Sequence, residues 1–214
     1  MGMSGQDTGK EGQGAAHLHR LVLFSDAVFA IAITLLAIEI HPPEHWHGVA
    51  DLLGQMQAKL IAYAVSFAVI GICWISHRRV YARFVRADMG LDILNFMVLG
   101  LVALLPVGTE LLSEGRGGQA LPVYVGLVAA IGGVMGVLWA YAAFIGKLTV
   151  PMSIGEAIFV LLRVALLPGI MCVLTFLSMA KPAFVLLFIP LGGALRFLAA
   201  RMRTTADTPH PEAA

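Results

Sequence analysis

Residues 20–40 form an apolar run that nonetheless carries Arg20, Ser25 and Asp26 in its first turns and Glu39 near its end. About 20 residues suffice for a helix to cross a bilayer, so the run is long enough to span. An ionisable residue inside a span is costly, and it persists where it faces protein or water and has a task there. This conflict between span and charge constrains both the fold and the function.

The rest of the chain agrees with a membrane setting. Of 214 residues 59% are hydrophobic and 13% charged, and mean hydropathy is +0.86, far from the average of soluble domains. The fold class expected is all-α, a polytopic membrane protein. Net charge is only +1; no basic arm or motif suggests nucleic acid, and in a membrane chain the distribution of charge sets orientation. Cys73 and Cys172 sit inside apolar runs, where they act as small hydrophobes rather than as a disulfide or a thiolate site. Ser25 beside Asp26 lacks a base arrangement, and no two-histidine zinc motif with an adjacent glutamate occurs. An enzyme is therefore not expected, and neither is a cofactor.

Residues 1–19 read as a mobile polar tail, too poor in large apolar side chains to order themselves. They also lack a cleavable signal pattern, so the first span is its own targeting signal. Six transmembrane helices are expected at about 20–40, 52–76, 89–112, 121–145, 154–179 and 182–200, one domain over 20–203 followed by a polar tail at 204–214. His41-Pro42-Pro43 closes the first, because proline lacks an amide proton and disfavours helix before it. Gly126, Gly132, Gly133 and Gly136 in the fourth read as positions where helices approach closely. Six spans put both termini on one side. Lys10, Arg20, Arg78, Arg79, Arg83, Arg86, Lys147, Arg196, Arg201 and Arg203 fall at that side's ends, whereas the opposite loops hold only Arg116 and Lys181, which makes it the cytoplasm.

Counted from the cytoplasmic ends, Asp26 and Asn95 lie about six residues into their helices and Arg163 about nine, while His77 closes the second helix. At about 1.5 Å per residue these depths are comparable. Buried charge persists only when paired and hydrogen-bonded, so a shared network of Arg20, Ser25, Asp26, His77, Asn95 and Arg163 is expected, with Asp26 paired to Arg163 or Glu156 to Arg20. Two roles stay open for it: holding the bundle together, or taking part in transport. On the first helix Ile31, Leu35 and Ile38 make a stripe at i, i+4 and i+7. Asp26 lies about 140° around the axis from Ile31, so charge and stripe point different ways. By spacing alone the stripe is lipid or core contact.

Arg20-x-x-x-Phe24-Ser25-Asp26, continuing through Ala27-Val28-Phe29-Ala30-Ile31-Ala32-Ile33-Thr34-Leu35-Leu36, closely resembles the first-helix signature of the lysosomal potassium channel transmembrane protein 175 and its bacterial relatives. Trp74-x-x-His77, and Asn95 with Leu104-Leu105-Pro106, resemble the following helices of that family. The later helices match in hydrophobic layout only. The resemblance implies a potassium-permeable cation channel in a bacterial inner membrane, a homotetramer of six-helix chains whose first helices line the pore. By position it places constrictions at Ile31, Leu35 and Ile38, with Ile31 narrowest, and a potassium preference at Thr34 and Ile31. It also gathers Phe24 and Trp74 into the structural network.

Nothing resembles the threonine-valine-glycine-tyrosine-glycine filter of common potassium channels, whose carbonyls replace the hydration shell. Rings of isoleucine and leucine gate instead by narrowing and dewetting. Glu39 at the outer mouth either raises local cation concentration or is an ordinary interfacial carboxylate. The external loop with His41, Glu44, His45 and His47 is spaced loosely and reads as solvated, with zinc or copper binding the alternative; no metal is expected. The rival function is a proton-coupled secondary transporter using Asp26 and His77, though no inverted repeat or paired broken helices support alternating access.

Overall fold

The computed structural model describes residues 4–114 and 120–166, with side chains between residues 12 and 165. Its helices are α1 (Ser4–Ile38), α2 (Val49–Tyr81), α3 (Met89–Ala103), α4 (Leu105–Ser113), α5 (Ala120–Ala140) and α6 (Ile154–Leu161); π-helical turns at Tyr141–Ile145 and Leu162–Leu166 continue α5 and α6. No β-strand occurs among the described residues. Among the described residues four stretches are long and apolar enough to cross a membrane: Gly12–Ile38, Val49–Tyr81, Met89–Ser113 and Ala120–Ile145. Most of the expected fifth helix, the sixth at 182–200 and the tail at 204–214 lie outside the described residues.

Local chemistry sets most boundaries. Gly48 has φ 136, a left-handed conformation that suits glycine, and one turn into α2 Asp51 Oδ2 accepts from the His47 amide (2.9 Å). Asp88 caps α3 by accepting from Leu91 N (2.9 Å). Ser153 and Glu156 form a reciprocal capping box on α6. That engagement gives Glu156 a partner within its own turn, in place of the expected pairing with Arg20.

Three expectations are corrected. The polar N-terminal segment is helical from Ser4, so α1 has 35 residues and no break before the span. Its last turns before Arg20 have contacts to order them: His17 Nε2 lies 3.1 Å from Asp92 Oδ2, and Leu18 packs on the core. The expected helix 89–112 is interrupted at Leu104, where the Leu104 amide bonds Leu101 O (3.2 Å) in a tighter turn. Pro106, in the first turn of α4, offers no amide proton and its ring crowds the carbonyl four residues back. The glycines of α5 divide: a Cβ on Gly136 would sit 2.6 Å from the Cβ of Ala165, whereas Gly126 and Gly133 face open space.

α1 packs on α2, α3 and α4, α3 packs on α5, and α4 bridges α2 and α5. The core runs through Phe29, Leu36, Ile70, Leu91, Val98, Leu105, Ile131, Leu138 and Trp139, and the Trp139 indole N–H is satisfied by Ala157 O (2.8 Å). Outside the helices, Val85 N donates to Leu148 O (2.8 Å) and Val150 N to Arg83 O (2.9 Å), pairing the α2–α3 and α5–α6 connections antiparallel.

Candidate functional site

α1 buries one face against its own chain: Leu21, Ser25, Phe29, Ala32 and Leu36 are sealed, and their spacing of three and four traces one stripe of a helix. Ser25 is the polar member of that stripe. Its Oγ donates back to Leu21 O (2.8 Å) and accepts from Asn95 Nδ2 of α3 (2.9 Å). Asn95 Oδ1 in turn accepts from Tyr81 Oη (2.8 Å) and lies 2.9 Å from His77 Nε2. Since Oδ1 only accepts, His77 carries its proton on Nε2. Each of these four groups thus has a partner, as burial requires.

Rings close around the same point. His77 stacks on Tyr81 with centroids 4.1 Å apart, and Phe29 meets His77 edge-on at 5.4 Å. Asp26 lies beside this cluster, half-buried, where its Oδ1 accepts from the Trp74 indole N–H of α2 (2.7 Å). Arg78 lies over the Trp74 ring at 4.8 Å. Phe24 packs its ring on Phe96 of α3 at 5.5 Å.

Of the residues singled out in the sequence, the structure therefore brings together Ser25, His77 and Asn95 in one hydrogen-bonded set and Asp26 with Trp74 in a second. Arg20 and Arg163 are both exposed and stand outside these two sets; Arg163 lies in the turn Leu162–Leu166. The carboxylate of Asp26 is engaged by an indole where pairing with Arg163 was expected.

The opposite surface of α1 is uncovered by the chain. Ile31 is 57% exposed, Leu35 38% and Ile38 64%, and Thr34 is exposed between them. The Thr34 hydroxyl donates to Ile31 O (2.8 Å). With its proton directed to its own helix, the hydroxyl presents lone pairs outward. Glu39 is half-buried just past the end of α1. The histidine loop folds onto the start of α2, with Gln55 Nε2 donating to His45 O (3.3 Å). Among the described residues no three histidines, cysteines or carboxylates gather as a metal site.

Three groupings escaped the sequence reading. Tyr81 completes the Asn95 set, and its place one turn after His77 was the available signal. His17 Nε2 and Asp92 Oδ2 approach to 3.1 Å between the early part of α1 and α3; Asp92 stands one turn before Asn95. Thr109 Oγ1 lies 2.7 Å from Ser66 Oγ and donates to Leu105 O (2.8 Å), while Tyr124 Oη donates to Ser66 Oγ (3.0 Å). These buried hydroxyls join α2, α4 and α5.

Comparison with known proteins agrees with this geometry. Residues 20–106 match the family model described as endosomal/lysosomal potassium channel TMEM175. A potassium channel of Chamaesiphon minutus is 36% identical over 137 residues, 60% of this chain and 68% of that protein. One from Streptomyces collinus is 44% identical over 101 residues, 44% of this chain and 47% of that protein, so the match spans about half of that relative's length. A crystal structure of a lysosomal potassium-selective channel TMEM175 homologue from Chamaesiphon minutus superposes with TM-score 0.67 at 31% identity, covering 85% of this chain and 98% of that one. With Ser25 and Asp26 of the matched signature hydrogen-bonded to Asn95 of α3 and Trp74 of α2, and with a relative 36% identical and matched over 68% of its length, this chain belongs to the TMEM175 family.

Proposed function

We propose that the chain forms a potassium-permeable cation channel whose pore is lined by the uncovered face of α1. The observation that carries this reading is the exposure of Ile31, Thr34, Leu35 and Ile38 on a helix whose other face is anchored by Ser25 and Asp26. Four copies of a six-helix chain, as a homotetramer in a bacterial cell membrane with both termini cytoplasmic, bring four such faces around one axis. The potassium-channel names of the bacterial relatives support the same reading.

In this assembly Ile31, Leu35 and Ile38 form aliphatic rings that narrow the path and exclude water when closed. They supply no oxygen ligands, so preference for potassium over sodium rests on diameter, on the cost of stripping water and on Thr34, whose outward lone pairs suit a cation. Glu39 at the mouth concentrates monovalent cations. Phe24, Ser25, Asp26, Trp74, His77 and Asn95 brace the pore helix rather than meet the ion.

Purified protein in a planar bilayer, with potassium and sodium on opposite sides, tests this directly. Unitary current steps with a reversal potential on the potassium side are expected, and Ile31→Asn enlarges the conductance or weakens the preference, because a polar ring lowers the dewetting barrier. Saturable flux without steps points to a transporter, and unchanged currents in Ile31→Asn remove that residue from the pore.

A further inference from the structure

One face near the C-terminal end of α2 carries Ile75, Arg78, Arg79 and Ala82 at i, i+3, i+4 and i+7, and these residues line an open groove of about 280 Å³. Two guanidinium groups sit between two apolar residues there. Arg78 is held: it lies 4.8 Å from the centre of the Trp74 ring, and that indole is fixed in turn by its hydrogen bond to Asp26. A guanidinium positioned in advance loses less freedom on binding. Among the described residues neither Arg78 nor Arg79 forms an ion pair with a carboxylate, so the groove keeps its positive charge.

We infer that this groove binds the phosphate headgroup of an anionic phospholipid. Planar guanidinium forks match phosphate oxygens in geometry and charge. The lipid source is favoured over free phosphate by the apolar track that leads away from the arginines: Ile75 is 42% exposed and Ile72, one turn further into the span, 63% exposed. An acyl chain uses that track, and inorganic phosphate has no use for it. A net anionic headgroup is favoured over a zwitterionic one, because the two cationic side chains lining the groove repel a choline group. This site does not rest on the channel reading, since it needs only α2 at a membrane boundary.

The test is native mass spectrometry of the full-length protein in detergent with phosphatidylglycerol or phosphatidylcholine. Phosphatidylglycerol is expected to stay bound several-fold more than phosphatidylcholine, and Arg79→Gln, which leaves the Trp74–Arg78 stack intact, lowers its retention about fivefold. Arg78→Gln has an effect at least as large, whereas Arg86→Gln, one turn beyond the groove, leaves retention unchanged. Millimolar inorganic phosphate does not displace the lipid. Equal retention of the two lipids, unchanged retention in both groove variants, an equal loss in Arg86→Gln, or full displacement by inorganic phosphate each overturns the assignment.

Discussion

One face of α1 sets Ser25 and Phe29 against α2 and α3 and is sealed, while the other leaves Ile31, Leu35 and Ile38 uncovered. In a soluble protein the assignment of polar and aliphatic residues to inside and outside runs the other way. Here the serine is inside because a polar group has no water to turn to within a bilayer and must find its partner in the protein. The aliphatic side chains are outside because leaving them uncovered costs little when the surroundings are lipid, or a narrow path that excludes water. The difference teaches that on this helix the specific contacts fix position, and the nonspecific surface is left free for work.

That contrast can be broken most severely at Asn95, the residue on which the sealed side converges. Asn95→Leu keeps the volume but strands the Tyr81 hydroxyl and the His77 Nε2 proton, each at about 1–3 kcal/mol. Thermal unfolding in detergent is expected to show a loss of about 2–6 kcal/mol, or no folded protein. A variant that melts like the parent would show that the set contributes no stability. Trp74→Phe is milder, removing the charge-assisted bond to the half-buried Asp26 and only weakening the stack under Arg78, at an expected cost of about 1–2 kcal/mol. Thr109→Val, among the buried hydroxyls, costs about 1 kcal/mol because Ser66 still accepts from Tyr124. Ile31→Asn gives the smallest change in stability, within about 0.5 kcal/mol, alongside its effect on current. A fall of 2 kcal/mol or more would mean that this face is packed rather than exposed to an aqueous path.

The sealed side was largely legible in the sequence because polar residues stand out in an apolar span. Ser25, Asp26, His77 and Asn95 announced themselves, and shared depth suggested a network. Depth says nothing about direction around the axis, however, and so the partner of Asp26 was misassigned: Trp74 supplies the bond. Ser66, Thr109 and Tyr124 gave no comparable signal, since single hydroxyls are ordinary in membrane helices and these partners are 43 and 58 residues apart in the chain. The helical N-terminal extension was hidden for another reason. Its contacts are with Asp92 on α3, and a segment judged alone by composition looks unable to order itself.

The paired connections at Val85–Leu148 and Val150–Arg83 have a consequence for sliding. Helices in lipid feel little hydrophobic force toward one another, and an aliphatic interface by itself permits slippage along the axis. Two main-chain bonds between the α2–α3 and α5–α6 connections oppose that slip whatever side chains stand there. They act as a latch on vertical register, so the height at which α3 stands against α5 is held partly by backbone that belongs to neither helix.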